Sequence, residues 1–198
     1  GVDPDAEVMI DITVDTVMET PLCAAASAGS ISAARLLLDA GAQIDKRDDD
    51  GYTPLLRAAV EGAAEMVSFL LEKGADINAR ENIFDHTPLH KAARLGRKTA
   101  SAALIAAGAD QSLRDSSGKT AEETICDQCG YRPDDKARLR AEIKDIFAQD
   151  RARRAAAEKA RQDAAAARAL AISRAGTLQG DLPLPKTPKN IRKRGKNP

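Results

Sequence analysis

Two histidines and three cysteines are the side chains of this sequence best suited to chemistry. His86 and His90 stand in the stretch HTPLHKAA, four positions apart. On one helix face that spacing would suit a pair of metal ligands, or a base beside its orienting partner. Cys126 and Cys129 form CDQC, half of a zinc site or a redox pair, and Cys23 stands far away in the chain. The context of each argues against these uses. Pro88 marks the start of a helix, so His86 precedes it and His90 lies in its first turn, and they do not share a face. CDQC has no second ligand pair nearby and no strand-then-helix setting. There is no HExxH, and no Ser or Cys nucleophile has a base partner in view. No catalytic residue, metal or cofactor is therefore expected, and the chain does not read as an enzyme. His86 is expected to be an exposed contact residue, and Cys126 and Cys129 to be ordinary residues of a capping helix.

The elements that would carry these residues must be built with little aromatic material. The 198 residues are 43% apolar but only 3% aromatic, with no Trp. Leu, Ile, Val and much Ala suit thin helical layers in close contact. The formal charge of zero conceals a division. From Asp134 onward 17 basic residues face 8 acidic ones, which leaves 13 against 22 in the first 133. An acidic body joined to a basic arm predicts different partners for the two halves. Three cysteines are too few for a disulfide framework and point to a reducing compartment. No apolar run reaches the roughly 18 residues of a membrane span, so no membrane insertion is expected. No secretory signal is visible, and a removed leader is compatible with a start at Gly1. The expected location is intracellular: cytoplasm, nucleus or an organelle.

Three ladders of self-similarity organise the chain. TPLCAAASAG, TPLLRAAVEG and TPLHKAARLG begin at Thr20, Thr53 and Thr87. LLLDAGAQID, FLLEKGADIN and ALIAAGADQS follow in phase, with Gly41, Gly74 and Gly108 at matched positions. RDDDG, RENIFD and RDSSG open at Arg47, Arg80 and Arg114. Thr caps a helix and Pro occupies its first turn. Leu-x-x-Ala-Ala lays a small apolar stripe on that helix, and Gly29, Gly62 and Gly96 end it. A second helix carries the Leu pairs and stops at the next glycine. Such short helices are unstable alone and must stack.

This pattern resembles the ankyrin repeat family, whose signatures stand here at 87–90, 92–96 and 74–78. The resemblance covers roughly residues 15–130 and implies an all-α ankyrin-repeat solenoid of three clear repeats. A degenerate fourth, from Gly118, has Ala121 for Pro and Glu122 for Leu, as suits a C-terminal cap. It also implies that His90 makes a scaffold hydrogen bond. Contacts in such stacks come from the tips of the inter-repeat turns and from the concave row of first helices. By position, the tip residues are Asp49, Asp50, Tyr52, Ile83, Phe84 and His86. The concave row offers Ser27, Arg57, Val60, Glu61, Lys91, Arg94 and Leu95. The turn at 82–86 is one residue longer than its neighbour. It places Ile83 and Phe84 where polar residues are usual, as an anchor or as a ring folded over an adjacent turn. Arg57 and Lys91 predict a cationic column, or else a solvated charged face.

Four segments result: an extended arm (1–14), the repeats (15–132), a long Ala-rich charged helix (133–175) and a Pro-rich basic tail (176–198). Residues 7–15 alternate with period two, which means strand, yet no second strand is evident. The arm is expected to cover the first repeat or to join a partner's sheet. The long helix starts at Pro133 and ends at Gly176 and Gly180. Leu139, Ile143, Ile146 and Phe147 form a stripe that should seal the last repeat. The tail's Lys186, Lys189, Arg192, Lys193, Arg194 and Lys196 offer contacts to an acidic protein or to phosphates. Without interleaved aromatics, base stacking is not expected. The leading expectation is a non-enzymatic scaffold or adaptor, a subunit of a hetero-complex, holding one protein by its repeats and an acidic partner by its arm. The alternatives are a ribonucleoprotein or chromatin component touching nucleic-acid phosphates, and a secreted effector or inhibitory regulator.

Overall fold

A computed structural model describes residues 8–9 and 18–178, with side chains from Glu19 to Ile172. Most of the period-two arm and all of the basic tail cluster (Lys186, Lys189, Arg192, Lys193, Arg194, Lys196) lie outside the described residues.

The architecture is helical. Three hairpins of antiparallel helices follow one another: α1 (Pro21–Ser27) with α2 (Ile31–Asp39), α3 (Pro54–Glu61) with α4 (Ala64–Glu72), and α5 (Pro88–Arg94) with α6 (Lys98–Ala106). The first helix of each begins as the Thr-Pro pairs require. Thr20, Thr53 and Thr87 accept from the backbone N–H of Cys23, Leu56 and His90. Each such cap stabilises its helix by about 1 kcal/mol. The second helices stop at Gly41, Gly74 and Gly108, whose φ values of 98°, 94° and 96° no L side chain adopts comfortably.

Small residues set the layer spacing. α3 packs between α1 and α5, and α4 packs against α6. Ala26, Ala58, Ala59, Ala92 and Ala93 are fully buried where the first helices meet. Leu22, Leu55, Leu89, Leu70 and Leu104 fill the space behind them. A side chain at Gly96 would meet Leu139 at 2.8 Å and Cys126 Sγ at 3.2 Å, so the last repeat closes only because that position is bare.

The arginine ladder joins one turn to the next. Arg47 Nη1 donates to the Arg80 carbonyl, and Arg80 Nη1 donates to the Arg114 carbonyl at 3.0 Å. Asp45 accepts from the Asp76 N–H at 3.1 Å, and Asn78 from the Asp110 N–H at 3.1 Å. Each link crosses a full repeat, so otherwise unpaired backbone groups at the turns are satisfied by the neighbouring unit.

Past the third hairpin the pattern collapses into a single 3-10 turn at Glu122–Thr124. Here the expectation of cysteines in a capping helix is corrected. Cys126 has φ +58° and lies outside any helix. Its N–H donates to the Ala93 carbonyl at 2.9 Å, and the Gln128 N–H to the Arg94 carbonyl at 3.1 Å. The segment thus gives a donor to the Arg94 carbonyl and a second one, beside the Gly96 N–H, to that of Ala93 at the end of α5. Cys23 and Cys126 are buried, and burial pushes both thiols up to about 12, so neither is a ready thiolate.

α7 (Pro133–Leu178) is one helix that belongs to two compact units, residues 1–152 and 153–198. In the first unit Ile143 and Phe147 are fully buried, with Leu139 and Ile146 packed against the core. Arg140 Nε donates to the Ile125 carbonyl at 2.8 Å, and Gln111 to Asp150 at 2.7 Å. In the second unit residues 153–172 are exposed throughout. The helix runs through Gly176 to Leu178 rather than stopping at that glycine. Glycine disfavours a helix by only about 1 kcal/mol, which does not bar it from one.

The period-two arm has a partner within the chain. β1 (Val8–Met9) pairs antiparallel with β2 (Met18–Glu19), Val8 opposite Glu19. Two residues are too few for β2 to register as a period in the sequence.

Candidate protein-binding surface

Three turns carry the face, and each is organised by the acid that follows its arginine: Asp48, Glu81 and Asp115, all buried. Asp48 accepts from the Tyr52 N–H at 2.8 Å, and Asp115 from the Ser117 and Lys119 N–H groups at 2.8 and 2.9 Å. The middle turn is one residue longer, and its acid is one methylene longer. Glu81 accepts from the Ile83 and Phe84 N–H groups at 2.8 and 3.0 Å and from His86 Nδ1 at 3.0 Å. Asp85 takes φ +56° there, where the neighbouring turns place Gly51 and Gly118 at +76°. Sequence reasoning missed these acids, although an acid after each arginine was the available signal.

The backbone so pinned holds two apolar side chains in water. Ile83 is 66% exposed and Phe84 50%. The Phe84 carbonyl accepts from the Ser116 N–H at 2.9 Å, tying this turn to the next. Phe84 does not fold away; its ring lies 5.5 Å from that of His86, tilted by 42°.

His86 itself is buried at 2% exposure, contrary to the expectation of an exposed contact. The longer turn brings its ring inward to the polar cluster that Glu81 anchors. Arg94 has only donors, so its Nη1 donates to His86 Nε2 at 3.0 Å, and Nδ1 carries the ring proton given to Glu81. Asp115 Oδ2 lies 3.5 Å from the same Nε2. Burial lowers the His86 pKa, helped by the Lys91 and Arg94 charges and opposed by Glu81. Burial opposes ionisation of Glu81, but the Ile83 N–H, Lys91 and the Phe84 N–H more than offset it, and its pKa falls. His90 is scaffold: Thr87 Oγ1 donates to its Nδ1 at 2.8 Å, and its Nε2 donates to the Lys119 carbonyl at 3.1 Å. The two rings stand 5.9 Å apart, each with both nitrogens committed.

Tyr52, Arg57 and Lys91 come together, but the expected cationic column is corrected to a neutralised stack. Arg57 lies 4.6 Å and Lys91 4.8 Å from the Tyr52 ring centroid. Lys91 Nζ donates to the Tyr52 hydroxyl at 2.6 Å and lies 3.6 Å from Glu81. Arg57 pairs with Asp48 at 2.7 Å, Asp50 at 2.8 Å and Glu19 at 3.4 Å. Burial disfavours its charge, yet Asp48 and the other acids raise its pKa. The column is occupied by its own counter-ions because these acids recur beside it.

The remaining predicted positions are less connected. Asp49 and Glu61 are exposed, and Ser27, Val60, Arg94 and Leu95 are half-buried. The Val60 carbonyl accepts from Arg97 Nε at 2.7 Å. Among the described residues no three His, Cys, Asp or Glu side chains are grouped to hold a metal, and no described helix is long and apolar enough to cross a membrane.

Stacked helical hairpins with projecting turns define a class of protein, the interaction solenoid, whose groups are arranged for contact. The family model for ankyrin repeats in three copies matches residues 7–81, and that stretch carries these repeats. They are a protein–protein interaction module of a family that is typically non-enzymatic. No curated protein matches the chain.

Proposed function

We propose that the chain is a non-enzymatic adaptor that grips a protein partner through the tip at Ile83 and Phe84 and the adjoining Tyr52–Arg57–Lys91 stack. One observation carries this: two large apolar side chains stand in water on a backbone fixed by a buried carboxylate. An anchor held in place loses little entropy on binding, so its buried area converts efficiently into affinity. The stack beside it supplies a half-buried aromatic surface with neutralised charge, which is inexpensive to desolvate. The basic tail, Lys186 to Lys196, serves a second and acidic partner, which makes the chain a bridge within a larger assembly.

The test compares proteins captured by the full chain with those captured by the I83S/F84S variant, whose changes lie at exposed positions and leave stability near wild type. A distinct set of partners lost with I83S/F84S, but kept by an E65K control on α4, is the expected result. Identical sets would overturn the assignment.

A further inference from the structure

The exposed part of α7 has a face whose order goes beyond general basicity. Between 153 and 172 there are five basic residues, Arg153, Arg154, Lys159, Arg161 and Arg168, against the acids Glu158 and Asp163. Arg154, Arg161 and Arg168 recur every seven residues, about two helical turns or roughly 10.5 Å along the axis. They therefore lie in one row. Arg161, Arg168 and Ile172 rim a shallow hollow of about 500 Å³ floored by Ala164, Ala165 and Ala169. Ile172 is 70% exposed at the end of that row.

We propose that this row is a docking seam for a single acidic α-helix of a partner protein, one that presents carboxylates at seven-residue spacing and an apolar side chain to Ile172. Alanines between the arginines allow a second helix backbone to approach closely, and their methyls give it apolar surface to cover. The Arg161 and Arg168 guanidinium groups then each meet a carboxylate with two parallel hydrogen bonds. A phosphate backbone fits worse. It gains nothing from the alanines or from Ile172, and residues 153–172 offer no aromatic to stack on a base. The seam is separate from the turn tips, so it stands or falls independently of the face proposed above.

Two fluorescein-labelled, Ala-rich helical peptides of identical composition test the seam against the full chain by anisotropy. One carries three Glu in a row at seven-residue spacing beside a Leu; the other has the same residues spread around the helix. The in-register peptide is expected to bind at least tenfold more tightly, and R161A/R168A to remove that preference. Alanine favours helix, so circular dichroism of the variant should match wild type. Equal affinity for both peptides, a preference that survives R161A/R168A, or tighter binding of a 20-base-pair DNA duplex than of the in-register peptide, lost in R161A/R168A, would overturn the proposal.

Discussion

Glu81 bears more of the site than any other single residue, because one carboxylate holds two backbone N–H groups and the His86 ring. Glu81→Gln removes the charge that Lys91 and His86 face while keeping the shape. It should cost about 1–3 kcal/mol in urea unfolding, the usual loss when a buried charged hydrogen-bonding group is disrupted. Asp85→Gly should act oppositely. It places the residue that tolerates φ +56° where the adjacent turns already have it, and a gain of about 0.5–1 kcal/mol is expected in the same assay. Protons act here too. His86 and His90 both have lowered pKa values in the fold, chiefly through burial. Below about pH 6.5 the unfolded chain takes up these protons first, so stability must fall as pH drops through that range. Glu81 and Asp115 are lowered as well, each despite the opposing effect of burial, and backbone N–H groups hold them. Their contribution is present above the ordinary carboxylate range and is lost as pH falls further. Melting temperature should therefore decline steadily from pH 7 to pH 4, and His86→Gln should flatten the upper part of that decline. A melting temperature that rises on acidification would contradict the buried cluster.

At the scale of elements, the helices were legible in the sequence because each carries its own punctuation. Thr-Pro starts the first helices, glycines end both helices of a hairpin, and Leu-x-x-Ala-Ala marks the packed stripe. The stripe of α7 was equally plain, since Leu139, Ile143, Ile146 and Phe147 follow helical spacing and all four are buried or packed against the core. Phe147→Ala should cost about 3–5 kcal/mol by urea unfolding, the range for emptying a buried aromatic site; a loss under about 1 kcal/mol would mean that α7 does not seal the last repeat. Less legible were features set by contacts distant in sequence. His86 looked exposed because it stands at a turn tip, in the position Tyr52 holds one repeat earlier; the added turn residue and the Glu81 carboxylate reverse that. The cationic column was half right: Arg57 and Lys91 do line up, but acids from two turns and β2 neutralise them. The CDQC segment kept no helical period because its function is to satisfy the carbonyls of α5.

For the whole molecule, the repeat explains why so few aromatics suffice. Each hairpin buries its alanine stripe against the next, and the arginine ladder ties the turns, so order is relayed between neighbours instead of gathered around one large core. In the function proposed above, the charge division of the sequence corresponds to two jobs: an acidic repeat body with an apolar tip, and a basic arm for a second surface. The most direct measurement of the central claim is photo-crosslinking in the cell of origin. A benzoylphenylalanine replaces Phe84 in one version and Leu36 in the other, Leu36 being 71% exposed on α2 and so an apolar control away from the turn tips. Discrete protein adducts from position 84, absent from position 36, are what a gripping tip predicts. No adduct at 84, or the same adducts from both positions, would contradict it.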